Sequence, residues 1–272
     1  MEITKKNWNL EEIDFDAIDI ASVSHDEFLF ITLASASFVE IYAEMYSENL
    51  IAHFCGDDAV TDWLEQCWQN EEVQHGRALK KYVETVWPGF DWMGACHAFL
   101  SEYRALCTID QLESSRALEL IARCVVETGT ASFYRSLQHY VQEPILRNML
   151  GNIKSDEISH YRKFHHYFST YNAIENQGVW PVVAAIWRRI QTIRGQDSYI
   201  AFKHVYIKWR SNQDFSDVQW NAYVRTLKRL ARVHYPFSMA IKMLIKPIPI
   251  FGLVKRALLW PLLGIAVLMS CF

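Results

Sequence analysis

An all-α protein organised around a four-helix bundle, with additional C-terminal helices, is predicted by three observations. Apolar residues recur at helical spacing over long amphipathic stretches, no segment alternates apolar and polar residues as a strand would, and only ten Gly and seven Pro interrupt 272 residues. With 51% hydrophobic and 14% aromatic residues the chain can bury a large core, which excludes disorder as its main description.

Residues 1–23 read as an N-terminal arm. Its start, MEITKKNWNLEEIDFDAID, holds two lysines but no apolar run, so no signal peptide and a cytoplasmic chain are expected. A bundle over residues 24–175 follows. Its first helix opens near Ser24 and stops at Cys55-Gly56, where Gly can take the left-handed cap. Asp57 or Asp58 caps the second, which runs to Trp87, ahead of the breaker Pro88-Gly89. A connection with a short helix around 92–105 leads to a third helix over about 111–141, and Pro144 suits the first turn of a fourth that continues to about Asn172. The bundle therefore consists of two hairpins.

Residues 176–272 form a basic helical extension, with helices near 180–194, 198–211 and 216–234, then Pro236, Pro247 and Pro249, and a final uncharged ALLWPLLGIAVLMSCF. That tail is too short for a confident spanning helix; it reads equally as a further core helix or as a membrane-surface segment. Charge divides the same way. Residues 188–272 hold fourteen Lys/Arg and three acids, a balance of +11, which leaves −15 of the total −4 for residues 1–187. The six cysteines (Cys55, Cys67, Cys96, Cys107, Cys124, Cys271) contain no C-x-x-C pair, which argues for reduced thiols and against a four-cysteine metal module.

Two short stretches carry chemistry. NEEVQHG (70–76) contains Glu72-x-x-His75, and SDEISHY (155–161) repeats the spacing as Glu157-x-x-His160. Residues i and i+3 of a helix share a face, so each pair offers an oxygen and a nitrogen ligand to one point. A single pair is more often a solvated one. Helix rise argues otherwise here: Glu40 and Glu72 each lie about 20 Å from the first hairpin turn, and Glu127 and Glu157 each lie about 20 Å from the second. Glu44, one turn beyond Glu40, is its rival; Glu40 is preferred because its 32-residue separation from Glu72 better matches the 30 between Glu127 and Glu157.

One Glu from each of two helices and a Glu-x-x-His from each of the other two is the ligand set of four-helix di-iron carboxylate proteins. The sequence here resembles the ferritin-like di-iron family, and within it the soluble acyl-carrier-protein desaturases: Glu71-Glu72-Val73-Gln74-His75-Gly76 is similar to their E-E-x-x-H-G, and Asp156-Glu157-Ile158-Ser159-His160 to their D-E-x-x-H, over roughly residues 25–172. The resemblance implies a ferritin-like bundle in which Glu40, Glu72, His75, Glu127, Glu157 and His160 bind two iron ions, with an Mn/Fe pair also open. Asp156 would orient His75 and Glu71 would orient His160, while Glu44 is either a supporting group or solvated. Thr130, three residues after Glu127, resembles the Thr of O2-activating desaturases and monooxygenases and would relay protons during O2 activation; its plainer role is to bond its own helix backbone. Gly129 beside it suggests close packing or a local bulge. Phe38, Ile41, Phe133 and Phe164 flank the ligands as core or as the lining of a substrate channel.

The expected function is an O2-dependent non-haem di-iron oxidoreductase of oxygenase or desaturase type, acting on a hydrophobic, acyl-type substrate. Electrons would come from an external reductase or ferredoxin, since no flavin or iron–sulfur motif is present. Two alternatives use the chain differently: a ferritin- or rubrerythrin-like iron-oxidising or peroxide-scavenging protein, and a membrane-associated helical binding protein. The basic residues 188–256 suit an acyl carrier protein, an acyl-CoA or an anionic surface such as the inner membrane, not nucleic acid, because the charge is diluted by aliphatic residues. A homodimer is left open.

Overall fold

The computed structural model describes residues 8–192, 196–211 and 214–270; Cys271 and the first seven residues of the arm lie outside them. Every regular element among the described residues is helical. The arm contributes two 3₁₀ turns and a short helix, α1 (Ile20–Val23), and then the first hairpin begins with α2 (Glu27–Ile41), whose N-cap Asp26 accepts the amide of Leu29.

The expected single first helix is two: α2 ends at Ile41, and α3 (Glu44–His53) leaves it at 41°. Neither Gly nor Pro marks this break, which is why the sequence reads as continuous. It falls where the backbone of Ile41 lies against Gly76 of the neighbouring helix. Gly56, at φ +92°, takes the left-handed turn as expected, and Asp57 caps α4 (Asp58–Trp63). A π-helical segment, Leu64–Trp68, joins α4 to α5 (Gln69–Val86), which stops at Trp87. The connection holds α6 (Trp92–Tyr103) and two 3₁₀ turns, so the third long helix, α7 (Arg116–Tyr140), starts later than the expected residue 111. Its Ser115 cap accepts from Leu118. Pro144 occupies the first turn of α8 (Pro144–Glu175), with the Glu143 carboxylate accepting the amides of Ile145 and Leu146.

α2 packs along α5 and α7 along α8, the two expected hairpins. Two apolar clusters tie the hairpins together: one joins Phe30, Phe38, Leu79 and Tyr82 of the first to Tyr134, Leu137, Leu146 and Leu150 of the second, and the other joins Leu50, Phe54 and Trp68 to Leu120, Ile121 and Phe164. The extension adds α9 (Val179–Thr192), α10 (Gln196–Trp209), α11 (Asp217–His234), α12 (Phe237–Ile245) and α13 (Gly252–Ser270). α9, α11 and α12 pack on α7, and α10 on α2 and α6. The tail does not become a core helix: no described side chain of α13 is buried.

Gly129 needs correction. A Cβ there meets nothing within 4 Å, and α7 is regular through it, so neither close packing nor a bulge explains it. Gly129→Ala is expected to raise stability by about 0.5–1 kcal/mol through helix propensity alone, read as a higher denaturation midpoint at unchanged m-value.

Candidate metal centre

Four helices deliver the six side chains from the bundle interior. Glu40 is the penultimate residue of α2, Glu72 and His75 lie one turn apart on α5, Glu127 is midway along α7, and Glu157 and His160 lie one turn apart on α8. All six are at most 6% exposed. They form two overlapping groups, Glu40/Glu72/His75/Glu157 and Glu72/Glu127/Glu157/His160, each offering ligand atoms within 4.8 Å of one another. Glu72 and Glu157 belong to both.

The two imidazoles are arranged alike. His75 turns Nε2 to Asp156 Oδ2 at 3.0 Å, and Nδ1 to Glu157 Oε1 at 3.3 Å and Glu40 Oε2 at 3.9 Å. His160 turns Nε2 to Glu71 Oε2 at 2.7 Å, and Nδ1 to Glu72 Oε1 at 3.1 Å and Glu127 Oε2 at 3.5 Å. The contacts of Asp156 with His75 and of Glu71 with His160 are the crossed pairs that the resemblance implies. An Nε2–H held by a carboxylate leaves the Nδ1 lone pair free to ligate.

Whether this donor set fits metal can be tested on its unpaired atoms. Glu40 Oε2, His75 Nδ1, Glu127 Oε2, Glu157 Oε1 and His160 Nδ1 are all buried without a hydrogen-bond partner. Orphaned buried polar atoms are costly, and five of them converge here. Two ligand atoms each about 2.1 Å from an ion and at right angles to it stand about 3 Å apart, close to the spacings between the imidazole nitrogens and their carboxylates. The set fits a pair of hard or borderline cations held by oxygen and imidazole nitrogen.

Electrostatics point the same way. Burial, then the charges of Glu157 and Glu40, pushes the Glu72 carboxyl well above its usual range, and burial raises Glu127 to about 8. Burial alone would lower both histidines, but the hydrogen bond to Asp156 and the adjacent Glu157 and Glu40 carboxylates hold His75 well above the ordinary value, and the Glu127, Glu71 and Glu72 carboxylates do the same for His160. Glu157 is held below the usual carboxylate range: burial opposes this, but the adjacent His75 imidazole and the charges of both imidazoles outweigh it. Without metal the cluster thus stores protons at neutral pH. Ligation must displace them, so apparent metal affinity is expected to rise with pH across the neutral range, with release of about two or more protons per loaded chain. Titration calorimetry in buffers of different ionisation enthalpy measures that number, and zero release would contradict the arrangement. A cleft of about 260 Å³ lined by Trp8, Gln74, Glu71 and Asp156 opens on the side of the two orienting carboxylates.

Thr130 bonds both its own helix backbone and a carboxylate of the cluster. Its hydroxyl lies 2.5 Å from Glu157 Oε2 and 3.3 Å from the Val126 and Glu127 carbonyls. Glu44 does not join the site; the break after α2 turns it into the exposed first turn of α3, where a carboxylate suits the helix N-terminus. Phe38 and Phe164 are buried in aromatic packing, against Trp92 and Phe99 and against Trp63 and Trp68; Ile41 and Phe133 are half-buried.

Trp8, Tyr134 and Tyr46 also touch the site, none of them among the site residues predicted from the sequence. Trp8 donates from Nε1 to Asp156 Oδ2 at 2.7 Å and stacks on His75 with ring planes 5° apart, yet it belongs to the arm and carries no local signal. Tyr134 donates to Glu40 Oε1 at 2.5 Å, and its position seven residues after Glu127, two turns along one face, was a legible sign. Tyr46 donates to Glu72 Oε2 at 3.4 Å from beyond the unforeseen break.

No family model matches this chain, and no curated protein does.

Proposed function

We propose that the chain is an O2-dependent non-haem di-iron oxidoreductase of the ferritin-like carboxylate type, acting on a hydrophobic substrate. The observation that carries this reading is the convergence of five unpartnered, buried ligand atoms from four helices, with Glu72 and Glu157 common to both halves. Bound iron would supply reversible one-electron chemistry and open positions for O2.

The chain's own residues do the rest. Asp156 and Glu71 fix the two imidazole rings, and Trp8 holds Asp156 from behind. Tyr134 donates to the Glu40 carboxylate and Tyr46 to that of Glu72. Tyr134 stays a neutral phenol because burial, then the Glu40 and Glu157 charges, pushes its ionisation well above the usual value. Thr130 places a transferable hydroxyl proton on Glu157, inside a site from which the aromatic core excludes bulk water.

The test is O2 consumption by iron-loaded, chemically reduced protein, with and without medium- and long-chain acyl compounds. Substrate-stimulated uptake with an oxidised organic product supports the reading. Rapid oxidation of ferrous iron with no organic product would favour iron handling or peroxide scavenging instead. Thr130→Val is expected to leave iron content intact and lower coupled turnover about 10-fold or more, the usual scale of a lost proton-transfer group. Product formed per O2 consumed is the measurement.

A further inference from the structure

We propose that α12 and α13 form a docking unit for an anionic lipid bilayer. The apolar half of the argument is exposure: Phe251 is 86% exposed, Leu253 78% and Trp260 74%, and none of the described side chains of α13 is buried. Large apolar groups left together in water mark an interaction surface, and an exposed indole suits the headgroup boundary of a membrane.

Charge supplies the other half. After Asp217 the remaining 55 residues contain eight Lys/Arg and no acid. Lys242, Lys246, Lys255 and Arg256 stand on or beside the two helices, and no carboxylate among the described residues lies within ion-pair distance of any of them. Lys255 reaches back to donate to the Lys246 carbonyl, which ties its ammonium to the end of α12 on the same side of the unit as the Lys246 backbone. An acidic protein would satisfy the cations but not the phenyl, leucyl and indolyl groups projecting among them. A bilayer offers phosphates at the surface and acyl chains beneath.

Length sets the mode of binding. Lys255 and Arg256 leave fourteen uncharged residues, 257–270, in α13. They span about 21 Å, short of the hydrocarbon thickness of about 30 Å. No single described helix is long and apolar enough to cross a membrane. The unit therefore enters the interface shallowly. It also sits beside the metal-bearing helices: α12 packs on α7, and the Tyr161 hydroxyl, next to His160, donates to the Met243 carbonyl at 2.7 Å. A lipid-dissolved substrate would meet the protein on that side.

The experiment is flotation of the full-length protein with phosphatidylcholine vesicles, alone or with about one third phosphatidylglycerol, at low and at physiological salt. Binding is expected only to the anionic vesicles and to weaken with salt. Phe251→Glu with Trp260→Glu, and separately Lys242→Gln with Arg256→Gln, are each expected to lower partitioning about 10-fold or more. All four positions are exposed, so thermal midpoint and circular dichroism should not change. Absence of binding, equal binding to both vesicle types, or a dimer in solution that these same glutamates convert to monomer would overturn the proposal. Metal loading plays no part in the readout, so the outcome is separable from that of the oxidoreductase reading.

Discussion

Replacing Gly76 with alanine is expected to destabilise the protein by about 3 kcal/mol and to strip metal from the centre without touching any ligand. A Cβ at this position would stand 2.2 Å from the Ile41 amide nitrogen and 2.5 Å from its Cα, backbone atoms that no rotamer change can move aside. α2 would have to retreat from α5. Overpacking of this kind costs about 1–3 kcal/mol or more, and here it outweighs the gain of at most about 1 kcal/mol from helix propensity. For a chain of this size the melting midpoint should fall by about 5–10 °C. The retreat also carries Glu40, the residue before Ile41, away from His75 and Tyr134, so metal bound per chain should fall together with the midpoint. Gly129→Ala is the matched control: the same substitution on a neighbouring long helix, with open space instead of backbone, and an effect of opposite sign. If both alanines stabilise, the close α2–α5 contact is not what the centre depends on.

Glu157→Ala is expected to abolish the binding of both ions, whereas Glu40→Ala and Glu127→Ala each weaken mainly one half. The asymmetry follows from Glu157 belonging to both ligand groups while Glu40 and Glu127 belong to one each. A ligand at 100 times its Kd stabilises by about 2.7 kcal/mol, so two ions add about 5 kcal/mol and should raise the melting midpoint of the wild type by about 10–20 °C. That rise should vanish in Glu157→Ala and fall by about half in the single-group variants. Glu72→Ala is informative in the opposite direction without metal. Its carboxyl is raised by burial and by the charges of Glu157 and Glu40, so folding without metal must protonate it at neutral pH; deleting it removes that cost, and the metal-free variant should be no less stable than the wild type. Differential scanning calorimetry on stripped and reloaded protein, with metal quantified per chain, separates these outcomes.

How far the molecule could be read from its sequence depends on the range of the interaction concerned. Helix ends set by local chemistry were legible: Gly56 takes a positive φ, Asp57 caps, and Pro144 opens α8. So were the ligand pairs, because i to i+3 spacing is a property of one helix and equal rise in two hairpins is arithmetic. What failed was governed by neighbours distant in sequence. The break after Ile41 carries no Gly or Pro of its own and coincides with a contact to Gly76, 35 residues on, and with it went the placing of Glu44. Trp8 reaches Asp156 across 148 residues. Gly76 and Gly129, both inside long helices, look alike in the sequence, yet Gly76 holds a helix crossing whereas a Cβ at Gly129 would meet nothing, a difference only packing reveals.

The π segment Leu64–Trp68 acts at longer reach than its five residues suggest. A wider turn takes up one residue more than an α-turn, so the chain before it is out of phase with the chain after it by about 100°. Trp63 and Trp68, which an uninterrupted α-helix would point in divergent directions, instead both close on the ring of Phe164, with centroids 5.0 and 5.4 Å away. The azimuth of the whole Asp58–Trp63 segment relative to Glu72 and His75 is thus set by a surplus of one residue. Counting positions from the motif across this boundary as if the pitch were uniform would assign every upstream side chain to the wrong bearing.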